Sequence, residues 1–361
     1  MLFTLLRGLG WGACALVLAA CSSSSSTDFS SGASSGTGAG GAPSSAGGTG
    51  NAGLGGNPDN AAGGQGASAG ALSGGTSSGG ADGAEPGGSG GMTANGGSAG
   101  GSMVGLHNGC TPGTLSDSGV LKSRFDSAKV MAGGVEYFMQ VNEWNTSAAQ
   151  VMTYGGPFFF KMTTQEASAM TNGGPTGFPS LFIGANSRHS TANSNLPKLV
   201  GSLTSVLTTW NWNDNGTLAD ATANSYNAAY DVWFSTNPLG EPNASGPSGG
   251  FLMVWLHKPA DAQPIGKILY PAVTIPGVGG MWDVWIGMNG RVPCTSYVRT
   301  EDTLSLSYDL NDFIKDAIAN RTNNGTPVLQ SSWYLTNIFS GFEIWRGGVN
   351  LETTSFCAAV N

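Results

Sequence analysis

Charge is scarce in this chain, and positive charge is the scarcer sign. Of its 361 residues, 14 are Lys or Arg and 22 are Asp or Glu, so the formal net charge at pH 7 is −8. The C-terminal two thirds contain no run of basic residues, which argues against a nucleic-acid partner. Histidine is rarer still, with three in the chain, and neither His189 nor His257 has a close His or Cys at metal-ligand spacing. The sequence therefore predicts no cofactor, no metal and no nucleic-acid partner.

Aromatic side chains are almost absent from a long tract near the N-terminus. Residues 22–102 are mostly Gly, Ser, Ala and Thr. A segment of this composition cannot bury enough apolar surface to offset the entropy lost on ordering. We therefore interpret residues 21–106 as a disordered Gly/Ser-rich tether with a root-mean-square span on the order of 50 Å. Residues 107–361 follow as one folded domain, long enough for a sizeable core.

The apolar stretch that opens the chain is too short for a typical membrane-spanning helix. One Arg, an apolar run and small residues before Cys21 predict a signal peptide over residues 1–20. The sequence "LAAC" at residues 18–21 resembles the lipobox of bacterial lipoproteins. This resemblance implies cleavage before Cys21 and a lipid on that residue. Because Ser22 rather than Asp follows, we expect anchoring in the bacterial outer membrane or at the cell surface, with secretion as the alternative.

The folded region consists of short alternating runs separated by Gly, Pro, Asn and Ser. Examples are "VEYFMQVNEW", "AAYDVWFS", "FLMVWLHK", "MWDVWIGM" and "TLSLSYDL". Many short strands with turn signals between them predict an antiparallel sandwich.

One stretch has helical spacing instead. Apolar residues recur from Leu310 to Ile318 at the helical period, Asp309 is a candidate N-cap, and Asp312 lies in the first turn, where the helix dipole favours an acid. Residues 323–325, "NNG", are expected to end this helix. The sequence thus predicts one amphipathic helix packed on the outside of the sandwich.

Strand alternation assigns side chains to faces. Polar or tryptophan-bearing sets alternate with purely apolar sets, which predicts an inner sheet with a cleft on one side. The predicted cleft-side sets are Glu343 with Trp345; Asp231 with Trp233; Phe251 with Met253 and Trp255; and Gln140 with Asn142 and Trp144.

Tryptophan is abundant in the folded region. Sugars present flat C–H faces to aromatic rings, so this abundance points to a carbohydrate cleft. One of Trp282 and Trp285 is expected in the core, and Trp210 with Trp212 is either a rim or plain packing. The nine tryptophans are Trp144, Trp210, Trp212, Trp233, Trp255, Trp282, Trp285, Trp333 and Trp345.

Three cysteines fall in the folded region, Cys110, Cys294 and Cys357. Their odd number allows at most one disulfide among them. Export would favour its formation, but the sequence leaves the choice of pair open.

The sequence "SSWYLTNIFSGFEIWRGG" at residues 331–348 resembles the C-terminal signature of family-12 glycoside hydrolases. "FPSLFIGANS", "NAAYDVWF", "FLMVWLHKPADAQPIG" and "MWDVWIGMNG" follow the family's order and spacing. The resemblance covers nearly all of residues 135–361. It implies an all-β, concanavalin-like β-jelly roll with a concave cleft, and endo-β-1,4-glucanase or xyloglucanase chemistry that needs no metal.

Individual residues can be matched to the family's pattern. The resemblance assigns Glu343 as the acid/base and Asp231 as the acid that supports the nucleophile. It implies that the sugar path is lined by Asn142, Trp144, Met253, Trp255 and Trp345.

One position departs from the family. In the family the strand before "QPIG" reads E-x-M-x-W, and its Glu is the nucleophile. Met253 and Trp255 are present here, but Phe251 stands at the nucleophile position. A retaining glycosidase needs two carboxylates about 5–5.5 Å apart, and a phenyl ring cannot attack a sugar carbon.

Two functions therefore remain open. The first is a surface-anchored, monomeric protein that recognises β-1,4-glucan with lost or weak hydrolysis. The second is an active endo-β-1,4-glucanase in which Asp231, or a loop acid such as Glu241, supplies the second carboxylate. Asp231 acting with Glu343 through a water would invert the anomeric centre.

Overall fold

The computed structural model describes residues 109–144, 148–166, 173–186, 189–239 and 246–361. The predicted signal peptide, Cys21, the predicted tether and Glu241 lie outside the described residues. Within the described part of the chain, no helix is long and apolar enough to cross a membrane.

Strands dominate the domain. In chain order they are β1 (Gly119–Leu121), β2 (Ser127–Ala132), β3 (Val135–Gln140), β4 (Gln150–Gly155), β5 (Phe158–Gln165), β6 (Ser180–Asn186), β7 (His189–Ser190), β8 (Lys198–Leu199), β9 (Val206–Asn213), β10 (Ser225–Tyr226), β11 (Ala228–Ser235), β12 (Gly250–His257), β13 (Lys267–Ile275), β14 (Val278–Asn289), β15 (Val292–Arg299), β16 (Ser305–Asp309), β17 (Thr322–Asn323), β18 (Thr326–Pro327), β19 (Tyr334–Gly341), β20 (Ile344–Arg346) and β21 (Glu352–Val360). Two 3₁₀ turns, Val200–Ser202 and Thr217–Ala219, and one α-helix, α1 (Leu310–Asn320), complete the elements of the described residues.

The strands form two main sheets. The smaller has the order β1-β4-β5-β21-β9-β16, and the larger has the order β13-β14-β15-β12-β11-β19-β6-β3-β2, with β7 and β8 pairing at β6 and β19. Neighbouring strands are antiparallel except for the parallel pair β12 and β15. The predicted all-β sandwich is confirmed.

The main hydrophobic core is built from the inward faces of these strands. Tyr230, Val232 and Phe234 of β11 alternate with Asp231 and Trp233, so only the first three enter the core. On β12, Leu252, Val254 and Leu256 do the same against Phe251, Met253 and Trp255. Phe342 and Ile344 also enter the core. These observations confirm the predicted alternation.

Helix α1 begins as predicted. The side chain of Asp309 accepts a hydrogen bond from the Asn311 backbone N–H, Asp312 lies in the first turn, and Phe313 and Ile314 are buried. The predicted end was wrong, because the helix stops at Asn320.

Residues 323–325 instead lie in a β-hairpin, in which the turn at 324–325 joins β17 to β18. Asn324 and Gly325 have φ values of 51° and 80°. Left-handed backbone at both central residues is what a two-residue hairpin turn requires.

A disulfide joins Cys110 to Cys357, across 247 residues of sequence. Cys357 lies on β21, between β5 and β9 in the smaller sheet. The bond therefore attaches the start of the described domain to the interior of that sheet.

Candidate functional site

A second apolar cluster covers the face of the larger sheet that points away from the core. We call this surface the cleft face. Its buried members are Phe138, Phe178, Phe182, Ala229, Trp233, Phe251, Met253, Trp255, Ala262, Ile265, Trp285, Cys294, Val298, Phe339 and Trp345, and Trp144 packs against them.

Strand register arranges the cleft face in cross-strand rows. In one row Phe251 lies opposite Trp233, which lies opposite Asn337. In the next row Asp231 lies between Met253 on β12 and Phe339 on β19. The following row places Ala229 between Trp255 and Gly341.

Glu343 lies just beyond the end of β19 and is held by Asn227. The Asn227 Nδ2 donates to Glu343 Oε2. The Glu343 backbone N–H donates to Asn227 Oδ1 at 2.8 Å, and the Asn227 N–H donates to the Glu343 carbonyl at 2.9 Å. Three hydrogen bonds between the same two residues fix both the backbone and the carboxylate of Glu343.

Asp231 is almost completely buried on the cleft face, at 2% exposure. Its Oδ2 accepts a hydrogen bond from Trp233 Nε1 at 2.8 Å. Its Oδ1 has no hydrogen-bond partner among the described residues. Burial raises the pKa of Asp231 to about 7, and the Trp233 hydrogen bond opposes that rise. Asp231 therefore keeps its proton to a higher pH than an exposed aspartate does.

Phe251 is packed rather than open, with 3% of its surface exposed. Its ring meets the Trp233 ring edge-on at a centroid distance of 5.7 Å. A methyl group placed on Gly246 would lie 3.4 Å from Phe251 Cζ, so the chain passes close over the ring end. On the side away from Trp233, the cross-strand neighbour of Phe251 is Cys294.

The predicted tryptophans of the cleft lie at the Glu343 end of the cleft face. The rings of Trp255 and Trp345 are 6.4 Å apart. Trp345 Nε1 donates to the Gly173 carbonyl at 2.9 Å, and Trp255 Nε1 points at Met253 Sδ at 3.4 Å. Trp345 and Trp255 are therefore oriented by specific contacts.

Asn142 and Trp144 lie on the segment that follows β3. Glu143 between them pairs with Gly177, and Gly177 pairs with Ile344, so this segment is tied to β20. Asn142 has a left-handed backbone with φ of 48°, and its Nδ2 has no partner in the described chain. The structure thus brings Asn142 and Trp144 to the strand that carries Trp345.

Four tryptophans of the domain are not part of the cleft face. Trp210, Trp212 and Trp282 belong to the main core, and Trp333 packs against it. Trp210 and Trp212 therefore pack inside the core and do not form a rim of the cleft. Trp285 lies on the cleft face and Trp282 in the core, so one of these two is in the core, as expected. The count of tryptophans overstated the aromatic surface available to a sugar.

Two polar residues of this face were not singled out from the sequence. Asn227 is four residues before Asp231, and Asn337 is six residues before Glu343, so the same period-two pattern assigns both to the cleft side. Continuing the alternation along β11 and β19 would have found them.

Replacing Asp231 with Asn is expected to change the pH dependence of stability. The folded-state pKa of about 7 exceeds the ordinary value of 3.8, so the folded protein holds this proton more tightly than the unfolded chain. That contribution is fully present below about pH 4 and is lost as pH rises through 7. Asn cannot ionise, so Asp231→Asn should gain free energy of unfolding relative to wild type, by on the order of 4 kcal/mol at pH 8 compared with pH 4.

Urea denaturation of both proteins at several pH values between 4 and 8 measures this difference. A difference that is constant across the range would show that Asp231 titrates normally in the folded state.

Acids, amides and tryptophans thus share one face of the larger sheet in this two-sheet sandwich. The family model described as Glycosyl hydrolase family 12 matches residues 135–361. The chain therefore belongs to this family.

Curated relatives support the same assignment. The chain is 31% identical over 168 residues to "Probable cellulase Cel12b" of Mycobacterium tuberculosis, covering 46% of this chain and 99% of that protein. It is 33% identical over 159 residues to "Probable xyloglucan-specific endo-beta-1,4-glucanase A" of Aspergillus terreus, covering 44% of this chain and 57% of that protein. The match therefore spans little more than half the length of the Aspergillus protein.

Solved structures share the fold. The endoglucanase cel12A from Rhodothermus marinus superposes with a TM-score of 0.56 at 31% identity, covering 67% of this chain and 98% of that one. A family 12 xyloglucanase from Bacillus licheniformis superposes with a TM-score of 0.54 at 20% identity, covering 67% and 100%. At that lower identity the likeness shows the fold alone.

Proposed function

We propose that this protein recognises β-1,4-glucan of the cellulose or xyloglucan type with lost or weak hydrolysis, and that a lipid on Cys21 holds it at the bacterial surface. The observation that carries the proposal is Phe251. The family's sequence pattern puts the attacking Glu at this position, and the phenyl ring here is buried against Trp233.

Retaining hydrolysis needs an attacking carboxylate as well as an acid/base. Phe251 has no nucleophilic atom, and its direct cross-strand neighbours are Trp233 and Cys294. The acid closest to it in register is Asp231, which lies one row away opposite Met253. Of the two carboxylates in the family's pattern, the acid/base and the nucleophile, this chain therefore keeps only the acid/base, Glu343.

What remains suits sugar binding. Trp144 is partly exposed and supplies aromatic surface for the C–H faces of pyranose rings, whereas Trp255 is completely buried. Buried polar atoms supply hydrogen bonds. Asn142 Nδ2, Asp231 Oδ1 and Trp285 Nε1 lack partners within the described chain, and buried polar groups are nearly always paired. Hydroxyl groups of a glucan chain would satisfy them.

Glu343 takes the role of a hydrogen-bond acceptor in this proposal. Asn227 donates an amide N–H to one oxygen of its carboxyl group. A carboxyl group fixed in this way has oxygen lone pairs that can accept hydrogen bonds from sugar hydroxyls.

An active enzyme is the second candidate, and one observation favours it. Asp231 has a pKa of about 7, a value that suits a general acid or base near neutral pH. Paired with Glu343 through a water, Asp231 would give an inverted product. A retained product would instead require another acid, such as Glu241.

Calorimetric titration with cello-oligosaccharides and xyloglucan oligomers tests the binding proposal. We expect wild type to bind, and Glu343→Gln to bind on the order of tenfold more weakly, because an oxygen that accepts a hydrogen bond from the sugar is replaced by an amide NH₂ group that cannot accept one. Glu352→Gln is the matched control, since Glu352 lies on β21 of the other sheet. Absence of heat with every oligomer would remove the glucan hypothesis.

The surface anchor has a separate test. Cys21→Ser should move the protein from the membrane fraction to the soluble exported fraction, because the lipid acceptor is lost. Unchanged membrane association in the variant would contradict lipid anchoring.

A further inference from the structure

A cavity lies where β12 ends, on the core side of the larger sheet. Its volume is about 310 Å³, and it is lined by residues from two segments, 217–226 and 257–261. Tyr226 on its wall belongs to the main core, and Leu218 packs against that core. We call this cavity the end pocket, and it is separate from the cleft face.

A β-bulge turns His257 away from the cleft face and into the wall of the end pocket. Consecutive residues of β11 pair with Trp255 and with His257, so Leu256 between them is an extra residue on β12. Such a bulge interrupts the alternation of faces. The His257 ring therefore lies against Tyr226 of the main core, at a centroid distance of 5.1 Å.

Contacts behind the walls hold both lining segments in place. Arg346 donates to the backbone carbonyls of Ala221 and Thr222 at 3.2 and 2.9 Å, and to Asp261 Oδ2 at 3.0 Å. Lys258 Nζ donates to two carbonyls of its own loop, at 2.9 and 3.2 Å. Because its walls are already fixed, the end pocket loses little conformational entropy when a ligand enters.

The charges around the end pocket balance within the protein. Asp261 Oδ2 lies 3.0 Å from Arg346 Nη2, and Asp302 Oδ1 lies 2.8 Å from His257 Nδ1. The positive charges of Lys258 and Arg346 match the negative charges of these two acids. A balanced site of this kind favours a neutral ligand over an ion.

The walls combine apolar surface with a few polar groups. Leu218, Tyr226 and Pro259 supply the apolar part. An ammonium group has three donors, of which Lys258 uses two on carbonyls. His257 uses Nδ1 for its acidic partner, which leaves Nε2 to pair with a ligand. Small-molecule sites have this composition, and a pyranose with C–H faces and hydroxyl groups matches it.

The volume limits the size of the ligand. Ligand pockets range from about 300 to 1,000 Å³, and the end pocket lies at the lower limit. We propose that the end pocket is a second carbohydrate site, which binds a single neutral sugar unit away from the cleft face. Glucan as the source of that sugar rests on the proposed function, whereas the pocket itself does not.

NMR of the histidine rings in the full-length protein tests this site, because the chain has three histidines. His257 lines the end pocket. His189 lies against Phe138 of the cleft face, with ring centroids 4.3 Å apart, and His107 lies outside the described residues. At constant pH, we expect D-glucose and cellobiose to shift the His257 signal saturably, with a dissociation constant on the order of 1–10 mM. His257→Gln identifies the signal.

A bulky residue at the wall should block the site. Ala221 is an exposed lining residue, and Ala221→Trp should weaken the sugar-dependent shift of His257 at least tenfold. Ala319→Trp is the matched control, because Ala319 is exposed on helix α1 and should leave the shift unchanged. Thermal unfolding checks that each variant is folded. If Ala221→Trp is not, Ala260→Trp on the opposite lining segment replaces it.

The outcomes separate this inference from the proposed function. The end pocket is not a carbohydrate site if neither sugar shifts His257, if the shift persists in the folded Trp variant, or if inorganic phosphate shifts His257 and the sugars do not. Calorimetry with cellohexaose reports on the cleft face independently. Heat from cellohexaose without any shift of His257 leaves the proposed function standing alone, whereas a blocked, saturable shift without that heat supports the end pocket alone.

Discussion

Phe251→Glu is expected to raise the rate of β-glucan hydrolysis on the order of a hundredfold above the wild-type background. The change returns a carboxylate to the strand face that carries Met253 and Trp255. Glu343 is already fixed by Asn227, and positioned acid–base catalysis typically contributes 10²–10⁴-fold. Reducing-end release from a soluble β-glucan, with the product anomer followed by NMR, measures the gain, and the anomer should be retained.

The same substitution should lower stability by several kcal/mol. Phe251 is buried, and deleting a buried phenyl ring typically costs about 3–5 kcal/mol. The new carboxylate also lies one row from Asp231, and two nearby carboxylates disfavour ionisation of both. Activity should therefore be measured well below the melting temperature of the variant.

Phe251→Gln is the matched control. It removes the ring and introduces a side chain of nearly the same shape as Glu, but it supplies no nucleophile. It should show a similar stability loss and no gain in turnover, and Phe251→Glu combined with Glu343→Gln should lose the gain. Equal turnover by folded Phe251→Glu and Phe251→Gln would show that position 251 does not face the reacting carbon.

Loss of the Cys110–Cys357 disulfide is expected to have the second-largest effect. The bond joins residues 247 positions apart. In the chain-entropy description, closing a loop of this length lowers the conformational entropy of the unfolded chain and so raises its free energy by about 5 kcal/mol. Urea denaturation of Cys110→Ser and Cys357→Ser should show a loss of about 2–5 kcal/mol in the free energy of unfolding.

Comparison of the two single variants separates the effect of losing the covalent link from the effect of changing a packed side chain. Cys357 is buried, whereas Cys110 is partly exposed, so a packing effect should be larger at Cys357. Similar losses at both positions indicate that the covalent link is responsible. A loss below about 1 kcal/mol for Cys110→Ser would mean that the link contributes little.

Local periodicity accounts for most of what could be predicted. The facing of Asp231, Phe251 and Trp345 follows from the period-two alternation of a strand, which needs no knowledge of the partner strands. Helix α1 was predicted from its period and from Asp309, because the N-cap is a local contact. These features depend on residues within a few positions of one another.

Long-range pairing explains what could not be predicted. Trp210 and Trp212 share a face, but that face becomes core only because it packs against residues of the larger sheet such as Tyr230. The Cys110–Cys357 pair depends on the position of β21 in that sheet. The residues "NG" at 324–325 suit either a helix end or a hairpin turn, and the pairing of β17 with β18 decides between them.

The polar contacts of the site have the same origin. Asn227 and Glu343 are 116 residues apart, and their hydrogen bonds form only when β10 pairs with β20. Asn337 lies opposite Trp233 only because of the β11–β19 register. Alternation indicates the face on which each residue lies, whereas register decides which residues become neighbours.

The central claim is that this family-12 protein binds β-1,4-glucan without efficient cleavage. The most direct test is reducing-end release from xyloglucan and mixed-linkage glucan by wild type, measured beside Glu343→Gln under conditions in which calorimetry shows saturation with glucan. We predict that wild type releases reducing ends far more slowly than 1 s⁻¹ and hardly faster than the variant. A turnover on the order of 1 s⁻¹ or more, which is ordinary for enzymes, would contradict the claim and place the second carboxylate elsewhere in the chain.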